Sequence, residues 1–167
     1  MIAGGDPDAR SFSYSRALAP PLWAFTAIMA IELVVVHLLV SIWSRTVAFI
    51  LSLLSLGMIV ALVALIRSFA RLPLLVFEDG LVMRLGWMRE ICIPAEQIAH
   101  VATDWPAGGL KRRGVVNLAM INYPNVMIDI APPITEPWTR TVTAVAHCVD
   151  DQPGFVAAVT AMATRHG

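Results

Sequence analysis

The sequence predicts a transmembrane α-hairpin followed by a mostly antiparallel β domain that ends in a C-terminal α-helix. Two apolar runs, residues 22–43 and 47–66, are separated only by Ser44-Arg45-Thr46. From Leu74 onward the apolar residues fall into short segments punctuated by turn residues. The end of the chain returns to helical spacing, with Phe155, Val156, Val159, Met162 and Ala163 forming a stripe.

The hairpin follows from length. Each apolar run is about 20 residues, which at about 1.5 Å per residue matches a hydrocarbon core of about 30 Å. The polar break leaves no room for a soluble domain between the runs, and Glu32, His37 and Arg45 are the hairpin's titratable residues. The whole chain is 57% hydrophobic and 14% charged, with mean hydropathy +0.71. Soluble domains carry roughly 25% charged residues, so this composition belongs to the membrane class. The first run is no signal peptide: it is longer than a typical signal core and is followed at once by a second span. Trp23 and Trp43 stand near its two ends, where indoles favour the headgroup zone.

Residues 1–21 form the lead-in. Gly4-Gly5-Asp6-Pro7-Asp8 reads as disordered, Ser11-Phe12-Ser13-Tyr14-Ser15 as an interfacial segment, and Pro20-Pro21 as a helix start. Arg10 and Arg16 precede the first span, and Arg67, Arg71 and Arg84 follow the second, whereas Arg45 stands alone at the other end. The positive-inside rule then puts both termini in the cytoplasm, in a multi-pass protein of a cytoplasmic (inner) membrane.

The hairpin leaves roughly 100 residues after Ile66, enough for one small domain with its own core, assigned to 72–167. Segments 74–77 and 81–85 flank Glu78-Asp79-Gly80, and Asp-Gly between apolar runs is a strong hairpin signal. Strands are also expected over 89–93, 98–105, 115–121, 126–130 and 140–149, with 131–137 as a proline-rich loop. Asp150-Asp151-Gln152-Pro153 supplies an acidic cap region with proline in the first helical turn. The total is seven strands in series and one helix to cover the open end.

With a two-helix hairpin in front, this order resembles the membrane-anchored bacterial pleckstrin-homology-like (PH-like) domain family. The resemblance is carried by Phe77-Glu78-Asp79-Gly80-Leu81-Val82-Met83-Arg84-Leu85-Gly86, by Ile91-Cys92-Ile93-Pro94 with Ile98, and by Val149-Asp150-Asp151-Gln152-Pro153-Gly154-Phe155. It covers roughly residues 22–165 and implies a seven-stranded PH-like domain: two roughly orthogonal antiparallel sheets capped by the last helix. It brings no catalytic set. Relatives of the fold bind phosphoinositides, but a shared fold does not transfer that function.

Glu32 and His37 lie in the middle third of the first span, where a charge costs about 2.5–3.5 kcal/mol on insertion scales. Their spacing turns them roughly 140° apart on a helix. Folding the hairpin about Arg45 brings His37 within reach of Ser52 or Ser55, on a small hydroxylated face with Ala48 that favours close helix contact. A neutral His37 bonded to a serine is the plainer reading, and proton or ion handling with Glu32 in an oligomer the sharper one. Glu32 has no partner within the hairpin, which leaves a protonated side chain or a contact with another protein in the bilayer.

Lys111-Arg112-Arg113, after a Gly-Gly loop, is the basic cluster of the β domain. Near an anionic leaflet each charge adds about 1 kcal/mol, although three fall short of the four to eight usual in polybasic sites. Trp87 and Met88, in a turn, need a cover: a protein partner, the membrane surface or the domain's own helix. Trp105 and Trp138 read as core or rim residues. Cys92 and Cys148 are far apart and in no CxxC, so they argue against zinc or redox chemistry, and nothing in their spacing supports a disulfide. His100 with Asp104, and the adjacent His147-Cys148, are too poorly disposed for a catalytic pair, and no metal, nucleophile or phosphate-loop motif is present. A net charge of zero gives no global field for nucleic acid. The expectation is therefore a non-enzymatic membrane protein without cofactor, whose cytoplasmic domain is a protein-interaction scaffold or accessory subunit of a membrane complex. Its partners are membrane lipids and one or more proteins in the membrane or at its cytoplasmic face. Sensing of anionic lipid through Lys111, Arg112 and Arg113 is the alternative.

Overall fold

A computed structural model of the chain describes residues 9–136 and 139–166. The run Gly4–Asp8 read as disordered, and Trp138, lie outside them. The first half is a hairpin of two long helices, α1 (Ser15–Trp43) and α2 (Arg45–Arg71), each long and apolar enough to cross a membrane. Ser44 alone joins them, in an extended conformation with φ −153° and ψ 115°. Its hydroxyl accepts from the Val47 N–H and caps α2.

The helices meet along a regular seam. Less exposed positions recur at Leu22, Thr26, Met29, Leu33, Val36 and Val40 on α1 and at Ala48, Ser52, Ser55, Ile59, Leu62 and Ile66 on α2. Alternating steps of four and three residues are the repeat of supercoiled helix pairs. Outward side chains such as Ile31, Leu39, Leu54 and Val60 remain exposed and apolar, and only 6% of the most apolar stretch of either helix is buried.

Both helices are longer than their apolar runs. The first starts at Ser15, five residues before Pro20, so the prolines lie inside α1 and do not start it. The early start has a tertiary cause: Tyr14 and Leu18 are fully buried in the β domain, and the Arg16 N–H donates to Asp150 Oδ2 at 3.2 Å. At the other end α2 continues past Ile66 to Arg71 because Phe69 enters the same core.

The β domain has eight strands in two four-stranded sheets, where the sequence suggested seven. The first sheet is β1 (Arg10–Phe12), β2 (Leu74–Val76), β3 (Gly80–Leu85) and β4 (Arg89–Pro94), in that order and antiparallel. The added strand is β1, from the stretch read as interfacial; it pairs Phe12 with Leu74, directly after the hairpin. The second sheet contains β5 (Ile98–Ala102), β6 (Val115–Asn117), β7 (Val126–Glu136) and β8 (Thr139–His147), ordered β5-β7-β8-β6. It is not a simple meander, since β6 lies parallel to β8 at the edge.

Residues 131–136, expected in a proline-rich loop, instead prolong β7. Pairing with β5 ends at Ile130, and the register with β8 is interrupted between Asp129 and Ile134. Pro132 and Pro133 therefore sit where few ladder bonds are asked of them, the usual place for proline in a sheet. The last helix, α3 (Gln152–His166), starts as expected: Asp151 Oδ1 accepts from the Gly154 N–H at 3.1 Å, and Pro153 sits in the first turn. Phe155, Ala158, Val159 and Met162 of α3 join residues of both sheets and of the hairpin ends in one core. A smaller cluster on the second sheet, Ala102, Met127, Ala144 and Ala146, is covered by Trp105, Leu110 and Val115.

Candidate functional site at the base of the hairpin

A set of buried and mutually bonded residues lies where the hairpin enters the β domain. Tyr14 precedes α1, Phe69 lies in the last turn of α2, Gly86 turns β3 into β4, and His147 closes β8. Tyr14 is fully buried, its ring 5.9 Å from that of Phe69 and 4.8 Å from the His147 imidazole. The Gly86 N–H donates to Tyr14 Oη at 2.7 Å. Glycine is required at 86: its φ is +51°, and a Cβ there would run into Ser68 Oγ and meet the Phe69 ring at 3.0 Å.

His147, also fully buried, is saturated on both ring nitrogens. The Cys148 N–H approaches Nδ1 at 2.8 Å, so that nitrogen accepts and the proton resides on Nε2, which donates to the Arg84 carbonyl at 2.9 Å. Burial holds the imidazole pKa below its ordinary value, against the raising effects of the nearby Arg84 and Cys148 carbonyls and of Asp150. Burial also raises the Tyr14 hydroxyl, opposed by the Gly86 bond and by Arg84. Cys148 is pushed up by burial and then by Asp150, which keeps it a thiol. A neutral imidazole with both nitrogens occupied, next to a protonated phenol, holds backbone in place and has no free valence for proton transfer.

A second set of bonds fastens the other side of the junction. The Asp150 N–H donates to the Ser13 carbonyl at 2.9 Å, and Asn125 exchanges two 2.8 Å bonds with the backbone of Val149. The start of α1 is thus bound to the β8–α3 link, which is bound in turn to the start of β7. Nothing in the sequence singled out this hub. The alternation Phe12, Tyr14 among serines is the signal that marks β1 and the inward-facing tyrosine.

No protein-family model, curated protein or solved structure matches this chain.

The residues singled out from sequence fall in three separate places. In the hairpin, His37 Nδ1 lies 2.6 Å from Ser52 Oγ, whereas Ser55 is half-buried on the same seam. Glu32 is exposed on the outer face of α1 and makes no bond to a described residue. In the second sheet, the Arg112 guanidinium donates to the Gly109 carbonyl at 3.2 Å and faces Asp129 at 3.4 Å. It folds the loop onto β7, and Lys111 and Arg113 remain exposed. Trp87 and Met88 are exposed at the tip next to Gly86, beside the end of α2. Trp105 stacks on Tyr123 at 5.9 Å over the smaller cluster. Asp104 accepts from its neighbour's N–H, and no group of three metal-ligating side chains occurs among the described residues.

Proposed function

We propose that the chain is a non-enzymatic integral protein of a bacterial cytoplasmic membrane whose β domain, on the cytoplasmic side, is a protein-interaction scaffold or accessory subunit. The observation that carries this reading is the shared core at the junction. A domain on a flexible tether samples many orientations, whereas Tyr14, Leu18, Ile66 and Phe69 are core residues of both parts. The sheets are therefore held at one height and tilt relative to the helices, as suits a docking platform.

The spanning role is supported by the exposed apolar faces of α1 and α2 and by their low burial, since a core helix would be mostly covered. Trp23 and Trp43 mark a length of about 30 Å along α1, the thickness of the hydrocarbon core. The orientation is supported by Arg10, Arg16, Arg67, Arg71 and Arg84 at one end against Arg45 at the other. Two sheets sharing a core with a C-terminal helix support the PH-like family reading.

Glu32 is the point of contact with a partner inside the bilayer. It faces outward among apolar side chains, where an unpartnered carboxyl is costly, and a polar group on another transmembrane helix relieves that cost. Purification of the full chain in mild detergent, with wild type and Glu32→Leu side by side, tests this reading. The expected result is a membrane protein recovered in fixed proportion with wild type and depleted with the variant. A solitary monomer in both cases would overturn it.

A further inference from the structure

The face of the β domain next to the hairpin carries two apolar loop tips, the end of α2 carries a cationic concavity, and we infer that together they bind anionic lipid of the adjacent leaflet. The inference rests on the membrane-spanning reading of the hairpin. It assigns the lipid contact to residues other than Lys111, Arg112 and Arg113.

The concavity, of about 480 Å³, runs down the outer side of α2. Its upper part is apolar, with Val60, Val63 and Ala64; its lower part has Arg67, Ser68 and Arg71. Arginines four residues apart lie on one helical face, one turn above the other. Among the described residues neither has an ion-pair partner. The His37–Ser52 bond fixes the register of the hairpin, and that register sets Trp23 opposite residue 66. Arg67 then comes just below the indole level and Arg71 one turn deeper toward water, the zone of the phosphates. An acyl chain fits the upper half and a phosphate the lower.

The two loop tips flank this level. Gly86 packs on Ser68 and Phe69, so the adjoining Trp87 and Met88, 67% and 59% exposed, project beside the last turns of α2. The second tip is the loop 118–125, with Met120, Ile121 and Tyr123 exposed. It leaves the second sheet at the hairpin end: β6 stops opposite Ala146, and β7 begins opposite His147. Its last residue, Asn125, is bonded to Val149, next to the Asp150 that binds Ser13 and Arg16. Large apolar side chains in water at both tips are unfavourable, whereas Trp, Tyr and Met in a headgroup zone lose that penalty. The cluster Lys111-Arg112-Arg113 lies before the opposite end of β6, with Arg112 facing Asp129.

The test uses the full chain with Cys92→Ser and Met88→Cys, carrying an environment-sensitive fluorophore at position 88. It is reconstituted in nanodiscs of phosphatidylcholine alone and of phosphatidylcholine with phosphatidylglycerol. The expected result is blue-shifted emission quenched by brominated lipid, and more strongly when phosphatidylglycerol is present. Native mass spectrometry of the same discs should show phosphatidylglycerol retained over phosphatidylcholine, with the preference falling on the order of tenfold in Arg67→Gln/Arg71→Gln. Both arginines are exposed, so that variant keeps its core. A probe that stays solvent-like, or that is blue-shifted but not quenched by brominated lipid, would overturn the contact. An unchanged lipid preference in the double variant would overturn the arginine site. A chain that does not enter discs at all would remove the spanning reading, and this inference with it.

Discussion

Two residues at the junction make opposite demands, one on shape and one on charge. At Gly86 both conformation and space exclude a side chain. In Gly86→Ala the left-handed backbone and the crowding against Ser68 and Phe69 should together cost about 2–4 kcal/mol. Thermal unfolding of the detergent-solubilised chain should show the loss, and an unchanged midpoint would mean that the turn can move away from α2. At His147 the demand is neutrality. Below the ordinary imidazole value of 6.5 the unfolded chain takes up a proton that the folded chain refuses. Stability is therefore level above about pH 6.5 and falls as the pH drops below it. Glutamine reproduces one donor and one acceptor without titrating, so His147→Gln should lose that part of the slope. If wild type and variant show the same acid dependence between pH 6.5 and 5, other groups control it.

Among the elements, the hairpin shows how a polar contact within a helix pair should be weighed. The His37–Ser52 bond is short, yet interhelical hydrogen bonds measured in a membrane protein average about 0.6 kcal/mol and reach about 1.7 at most. Ser52→Ala should accordingly cost less than about 2 kcal/mol in an unfolding assay in detergent or bicelles. A larger loss would give the pair a role beyond fastening the seam. This contact could be anticipated, as Ser52 or Ser55, because a short polar break and a helical repeat limit which positions face each other. The β2–β3 turn at Asp79-Gly80 and the cap of α3 were similarly legible, since each depends on a few neighbouring residues. By contrast β1, the parallel β6 and the extension of β7 past Pro132 and Pro133 depend on pairing partners far along the chain. The junction hub was hidden for the same reason: Tyr14, Phe69, Gly86 and His147 converge only once the chain has folded. Glu32 was legible as a residue without a hairpin partner, because its neighbours on α1 are all apolar.

At the scale of the molecule, the boundary suggested by composition is not a boundary in the core. A cut at residue 72 separates helix from strand in sequence but divides one packed unit. The fragment 72–167 lacks β1, which pairs with β2, and also Tyr14, Leu18 and Phe69, all essentially buried. Burial of each such side chain contributes roughly 1.5–3 kcal/mol, so losing three removes much of the roughly 5–15 kcal/mol by which a domain is stable. The buried Gly86 N–H also loses its acceptor at Tyr14 Oη, an unmet bond that costs about 1–3 kcal/mol more. Expressed alone, the fragment should keep strand content in the far ultraviolet, lose near-ultraviolet signal, and bind a hydrophobic dye or aggregate. Adding back the lead-in alone restores Tyr14 and β1 but not Phe69, and should recover only part of the tertiary signal. A fragment 72–167 that is monomeric, with sharp near-ultraviolet bands and cooperative melting, would show that the hairpin merely rests on the domain, and the fixed orientation argued from the shared core would fall.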